Sequence, residues 1–144
     1  MNIRNEHYRD VVAHVFAAAP FIVDMGLELG QCGPGYCETG LDVSPRHLQQ
    51  NGVIHAGVLT TMVDHTAGAA GTTLMAEDEY LLTVEFKVNL LRAVTGGRLH
   101  CRADVLKSGR RIIVVESAVS EVSGEKNVLL AKGTFTMSVL KKDE

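Results

Sequence analysis

The sequence predicts an α+β domain in which one antiparallel sheet wraps around a single long, buried helix. Three observations carry this reading. Ala56 to about Met75 is apolar or small nearly all round, as in a helix enclosed by its own domain. After it, apolar and polar residues alternate along Leu82–Leu90 with the period of a strand. The turn signals Gly96-Gly97, Ser108-Gly109 and Ser123-Gly124 then cut the remainder into strand-length pieces. Strands joined by hairpins, with one apolar helix among them, pack most economically with the sheet curled over the helix.

The elements follow in order. Residues from about 4 to 18 form an amphipathic helix. Tyr8, Val11, Val12, Val15 and Phe16 share one face, Arg4, Glu6, Arg9 and Asp10 take polar positions, and Pro20 ends the segment. Strands are expected at Ile22–Leu29 and Gly35–Val43, joined by a turn built on Gly30, Gly33, Pro34 and Gly35. Ser44-Pro45-Arg46 opens a loop that runs to about Ile54, where the buried helix begins. In the following strand, Leu82, Val84, Phe86, Val88 and Leu90 are expected on one face, and Thr83, Glu85, Lys87 and Asn89 on the other. Arg98–Leu106, Arg111–Val122 and Asn127–Leu140 complete the sheet, and Lys141, Lys142, Asp143 and Glu144 are expected as a solvated tail. A single sheet around one helix leaves open edges, which proteins pair or otherwise protect, so at least a homodimer is expected.

Composition narrows the function. The 144 residues, 46% hydrophobic and 22% charged, suit one folded domain over 1–144. A net charge of -3 without a Lys/Arg run argues against a nucleic-acid partner. The apolar stretch Phe16–Val23 is broken by Pro20 and too short to cross a membrane, and no signal-peptide pattern opens the chain. Cys32, Cys37 and Cys101 are an odd set that suits free thiols in a reducing cytoplasm. They lie in strand or turn contexts without a base, so a cysteine nucleophile is not expected. His55, Asp64 and His65 lack metal-ligand spacing, and no cofactor is expected.

Chemistry concentrates in Gln49-Gln50-Asn51-Gly52-Val53-Ile54-His55-Ala56-Gly57 and the helix that follows. A glycine-containing turn opens onto a helix whose first N–H groups lack intrahelical partners, and such groups can hold negative charge on a carbonyl oxygen. Asp64 sits within an otherwise apolar helix, where an ionised carboxylate is costly unless paired or used. Together they make a workable hydrolase pair.

These residues, with Thr83-Val84-Glu85-Phe86-Lys87-Val88-Asn89, Leu90-Leu91-Arg92 and the turn Ser108-Gly109-Arg110-Arg111, resemble the hotdog-fold acyl-CoA thioesterases. The similarity is to the phenylacetate-pathway, or 4-hydroxybenzoyl-CoA-thioesterase-like, group, and it spans about Pro20 to Leu140. The resemblance implies an acyl-CoA substrate and self-association as a homodimer or dimer of dimers. It implies a backbone oxyanion donor at Ala56, where the family normally has glycine, joined by Gly57. Asp64 falls on the acidic base or nucleophile, Gln49 on the polar helper and Thr83 on the hydroxyl that positions water. Asn51 and His55, in the loop before the helix, are expected to contribute to substrate binding, His55 also in a structural role, and Arg110 and Arg111 to meet CoA phosphates. Ala56 and Asp64 are eight residues apart, about 12 Å along a helix. If both act on one thioester, Asp64 must come from the neighbouring subunit. Two other readings remain open: a non-catalytic acyl-ligand binder, and an enoyl-thioester hydratase, whose characteristic histidine motif is not matched here.

Overall fold

The computed structural model describes residues 1–142, so Asp143 and Glu144 of the expected tail lie outside the described residues. The N-terminal helix α1 (Tyr8–Ala18) buries Tyr8, Val12 and Phe16, as the spacing predicts. Pro20 does more than end it. Proline is favoured at the first position of a helix, because its missing N–H has no helical acceptor there. Pro20 accordingly starts α2 (Pro20–Met25), which buries Ile22 and Met25 and stops at Gly26 in the left-handed region at φ 79°. The expected strand at Ile22–Leu29 is thereby corrected: β-branched Ile22 and Val23 are helical, and β1 is Glu28–Gly33.

A turn with Gly35 at φ 85° returns the chain into β2 (Tyr36–Asp42). After a single 3-10 turn at Pro45–His47, α3 spans Ala56–Thr72. Strands β3 (Glu79–Leu90), β4 (Arg98–Ser108), β5 (Ile112–Ser123) and β6 (Lys126–Lys141) follow. Lys141, expected in the tail, is the last residue of β6 and pairs with Asp78 at 2.5 Å.

The six strands form one antiparallel sheet in the order β1-β2-β4-β5-β6-β3. Helix α3 packs on its inner face through Leu59, Met62, Val63, Ala67 and Ala70, against Cys101, Val115, Phe135 and Met137 among others. The core is mainly apolar, with Thr39, His47, Thr66, Thr73, Glu79 and Ser117 as buried polar residues. Thr39 and Thr66 share a hydrogen bond at 2.8 Å, and the Cys101 thiol lies 3.4 Å from the Ser117 hydroxyl. These hydroxyls find their partners inside the protein, which offsets the cost of burying them.

Two expectations are corrected here. Cys32 and Cys37, directly opposite each other on β1 and β2, are joined as a disulfide, so only Cys101 is a free thiol. In β3, a register irregularity between Thr83 and Glu85 adds one residue to the strand. Thr83 therefore lies opposite buried Met137 and Phe86 opposite buried Phe135, which puts both on the helix side. Unbroken alternation would have placed them on opposite faces. As the edge strand, β3 leaves Leu82, Val84, Phe86 and Leu90 exposed.

Candidate active site

The start of α3 is built by a tightly tied loop. Gln49 N–H donates to the Val53 carbonyl at 2.8 Å, Ile54 N–H to Val94 at 2.8 Å, and His55 N–H to His47 at 2.9 Å. His47 in turn is buried, with Nδ1 accepting from Ser44 N–H at 2.9 Å and Nε2 donating to the Met25 carbonyl at 2.7 Å. The platform beneath the helix start is thus anchored to α2 and to the segment after β3.

His55 is the N-cap, and its Nδ1 accepts the Gly57 N–H at 2.8 Å. The ring thus bonds the first turn of the helix rather than the loop before it. The bond has a chemical consequence, because Gly57's donor is already committed. Ala56 N–H, the first of the helix, has no acceptor among the described residues, and Ala56 lines a cavity of about 520 Å³. Gln49, Ala56, Leu59, Leu91 and Arg92 are among the residues that line this cavity. Of the two expected oxyanion donors, Ala56 alone is free. Asn51 donates its N–H to the Gln49 side-chain oxygen, which holds that amide in the loop, and Asn51 does not line the cavity.

Asp64 lies two turns further along α3, in a different cavity of about 680 Å³ that shares no lining residue with the first. Thr83 Oγ1 donates to Asp64 Oδ1 at 2.8 Å, a pairing made possible by the irregularity in β3. Burial raises the Asp64 pKa above its ordinary 3.8, while the Thr83 hydrogen bond opposes that rise. Such a carboxylate is poised to accept a proton or to attack. His65, beside it, is pushed down to about 4 by burial and is neutral at pH 7. Cys101 is buried, its thiol pushed up to about 11, which leaves it un-ionised and unreactive.

The structure brings together Gln49, His55 and Ala56 around one cavity, and Asp64 with Thr83 around another. Arg110 and Arg111 stand apart from both, on the turn between β4 and β5. Arg92, just after β3, lines the Ala56 cavity and has no ion-pair partner among the described residues. A lone cation after a strand carries no spacing signal of its own. Among the described residues no helix is long and apolar enough to cross a membrane.

Comparison with known proteins identifies the family. Residues 51–127 match the thioesterase superfamily. A thioesterase family protein from Silicibacter pomeroyi is 32% identical and superposes with a TM-score of 0.88 over 93% of this chain and 98% of that one. A conserved protein from Pseudomonas aeruginosa is 34% identical, with a TM-score of 0.78 over 85% and 94% of the two chains. A medium/long-chain acyl-CoA thioesterase from Salmonella typhimurium is 26% identical, covering 83% of this chain and 85% of the relative. With its sheet curled over one long helix, the chain belongs to the thioesterase superfamily and is a thioester hydrolase of the hotdog fold.

Proposed function

We propose that this protein hydrolyses an acyl-CoA thioester with an aromatic or a short- to medium-chain acyl group, at a site shared between two subunits. The observation that carries the reading is the division of the machinery. A free N–H at Ala56 and a desolvated carboxylate at Asp64 occupy separate cavities of one protomer. One carbonyl group cannot meet both within a chain, since they stand about 12 Å apart along α3. A two-fold neighbour that covers the apolar edge strand β3 brings the Asp64 of one subunit to the Ala56 of the other. The acyl-CoA activity named for the Salmonella relative supports the choice of thioester.

In this arrangement the thioester carbonyl oxygen accepts the Ala56 N–H, and the negative charge that develops there is held by a donor already in place. Asp64 takes a proton from water as the water oxygen bonds to the carbonyl carbon. The C–S bond then breaks, and the departing thiolate receives that proton, giving the free acid and CoA. Direct attack by Asp64, through a mixed anhydride that water then opens, uses the same groups. Arg92, at the cavity that holds Ala56, is the first choice for a CoA phosphate. Arg110 and Arg111 serve that purpose only where a neighbouring protomer presents them.

The test is thiol release from benzoyl-, phenylacetyl-, butyryl-, octanoyl- and dodecanoyl-CoA by the wild type and Asp64→Asn. Turnover by the wild type and a loss on the order of 10²-fold or more in the variant is expected. Equal rates in the two proteins would make Asp64 structural and end this mechanism. Ligand binding without turnover in either protein would favour the acyl-ligand binder.

A further inference from the structure

The cavity at Asp64 extends well beyond what a carboxylate and a water need. It runs along α3 from Asp64 and Thr83 at one end to Thr72 at the other, roofed by Val11 and Val15 of α1. Asp64, Gly68 and Thr72 are spaced four residues apart, so they lie on one face over about 12 Å. Gly68, midway, has ordinary helical backbone, and a Cβ built there would meet nothing within 4 Å. Glycine inside a helix costs roughly 1 kcal/mol relative to alanine. Here neither a turn nor close packing within the protomer requires it. What Gly68 provides is empty volume one turn beyond Asp64.

The roof is held at both ends. Near Asp64, Phe16 meets the His65 ring edge-on at 4.6 Å between centroids. Before α1, Arg4 pairs at 2.8 Å with the buried carboxylate of Glu79, which also lines the far end of the cavity. A wall fixed in this way can measure length. The occupant is set by chemistry: Val11, Val15, Ala69, Leu81 and Leu82 line its length, and the charged groups lie at its ends, Asp64 at one and, at the other, Lys142 with the Glu79 carboxylate that Arg4 and Lys141 neutralise. The acyl part of the substrate fits that apolar length.

Resting on the thioesterase reading above, we propose that this cavity is an acyl ruler, in which the acyl group lies along α3 from Asp64 towards Thr72. Gly68 and Val11 set the length that is accepted. Gly68→Leu fills the ruler one turn from Asp64, and Val11→Phe narrows it from the roof.

The experiment measures kcat/KM for butyryl-, octanoyl- and dodecanoyl-CoA with the wild type and both variants. The same thioesters are titrated calorimetrically against Asp64→Asn, alone and combined with each variant. In Gly68→Leu the octanoyl-to-butyryl ratio of kcat/KM is expected to fall at least about tenfold, since a pocket discriminates by roughly that factor per methylene. In Val11→Phe the dodecanoyl-to-butyryl ratio falls in the same way, and the binding constants follow the same order. If the wild type turns over nothing but this binding order holds, the thioesterase reading fails and the ruler stands. Ratios and binding constants that move together for all chain lengths overturn the ruler. So does a fall in assembly mass for Gly68→Leu with the ratios unchanged, because the space at Gly68 would then belong to a neighbouring copy.

Discussion

Asp64 is held between two opposing influences, and in the proposed mechanism the balance between them sets the pH range of activity. Removal from water penalises the ionised carboxylate and raises its pKa, while the hydrogen bond from Thr83 favours the ionised form. In the proposed mechanism, as base or as nucleophile, Asp64 must be deprotonated. The rate therefore falls as pH drops through its raised pKa, and the acid limb of the kcat/KM profile is expected above the ordinary carboxylate value of 3.8. Thr83→Val removes the influence that lowers the pKa without adding a charge, so the limb should move further towards neutral pH. A pH–rate profile of the two proteins checks both statements. A limb that stays in place in Thr83→Val would show that the hydroxyl does not tune Asp64.

At the scale of elements, the site depends on an edge strand held on one side only. Within a protomer β3 pairs with β6 alone, and the two approach closely at Gly133. A Cβ there would lie 2.8 Å from the Lys87 carbonyl oxygen and 2.9 Å from a Val88 methyl. Gly133→Val is therefore expected to push β3 outward, at a cost of about 1–3 kcal/mol and a Tm lower by several degrees. Because Thr83 rides on β3, kcat should fall with it, although Gly133 touches no part of either cavity. Hydrogen exchange localised to β3 checks this, and uniform loss of protection would argue for a general defect instead. The same strand marks a limit of sequence reading. Period-two alternation made β3 legible, but nothing in that alternation reveals the added residue that turns Thr83 towards Asp64. Helix α2 was hidden in a similar way, because Pro20 is equally at home after one helix and at the start of the next. The buried helix, by contrast, was plain, since few folds surround so apolar a segment. Ala56 and Asp64 stood out as candidates on the same ground, from their places in that helix. The commitment of Gly57 N–H to His55 was not legible, because it depends on the direction in which one imidazole ring turns.

For the whole molecule, the decisive question is whether one active site draws on two chains. Val84 on the edge strand is 58% exposed and Phe86 is 47% exposed, and covering such residues is a strong reason to associate. Two substitutions allow a direct test. Proline at the first position of a helix is well tolerated, and His55 before it has the extended backbone (ψ 135°) that proline prefers in its predecessor. Ala56→Pro therefore deletes one N–H and little else, and is expected to cost about 10²–10³ in kcat with the fold retained. Asp64→Asn removes the other half of the machinery. Each variant alone is expected to be nearly inactive. When the two are unfolded together and refolded at equal concentration, half of the dimers are mixed. In a shared-site arrangement each mixed dimer holds one site with both Ala56 and Asp64 intact, so roughly a quarter of wild-type activity should return. A site made within one chain can recover nothing by mixing, since every chain then carries one of the two lesions. Absence of recovery in a mixture shown by mass to contain mixed dimers would therefore reject the shared site.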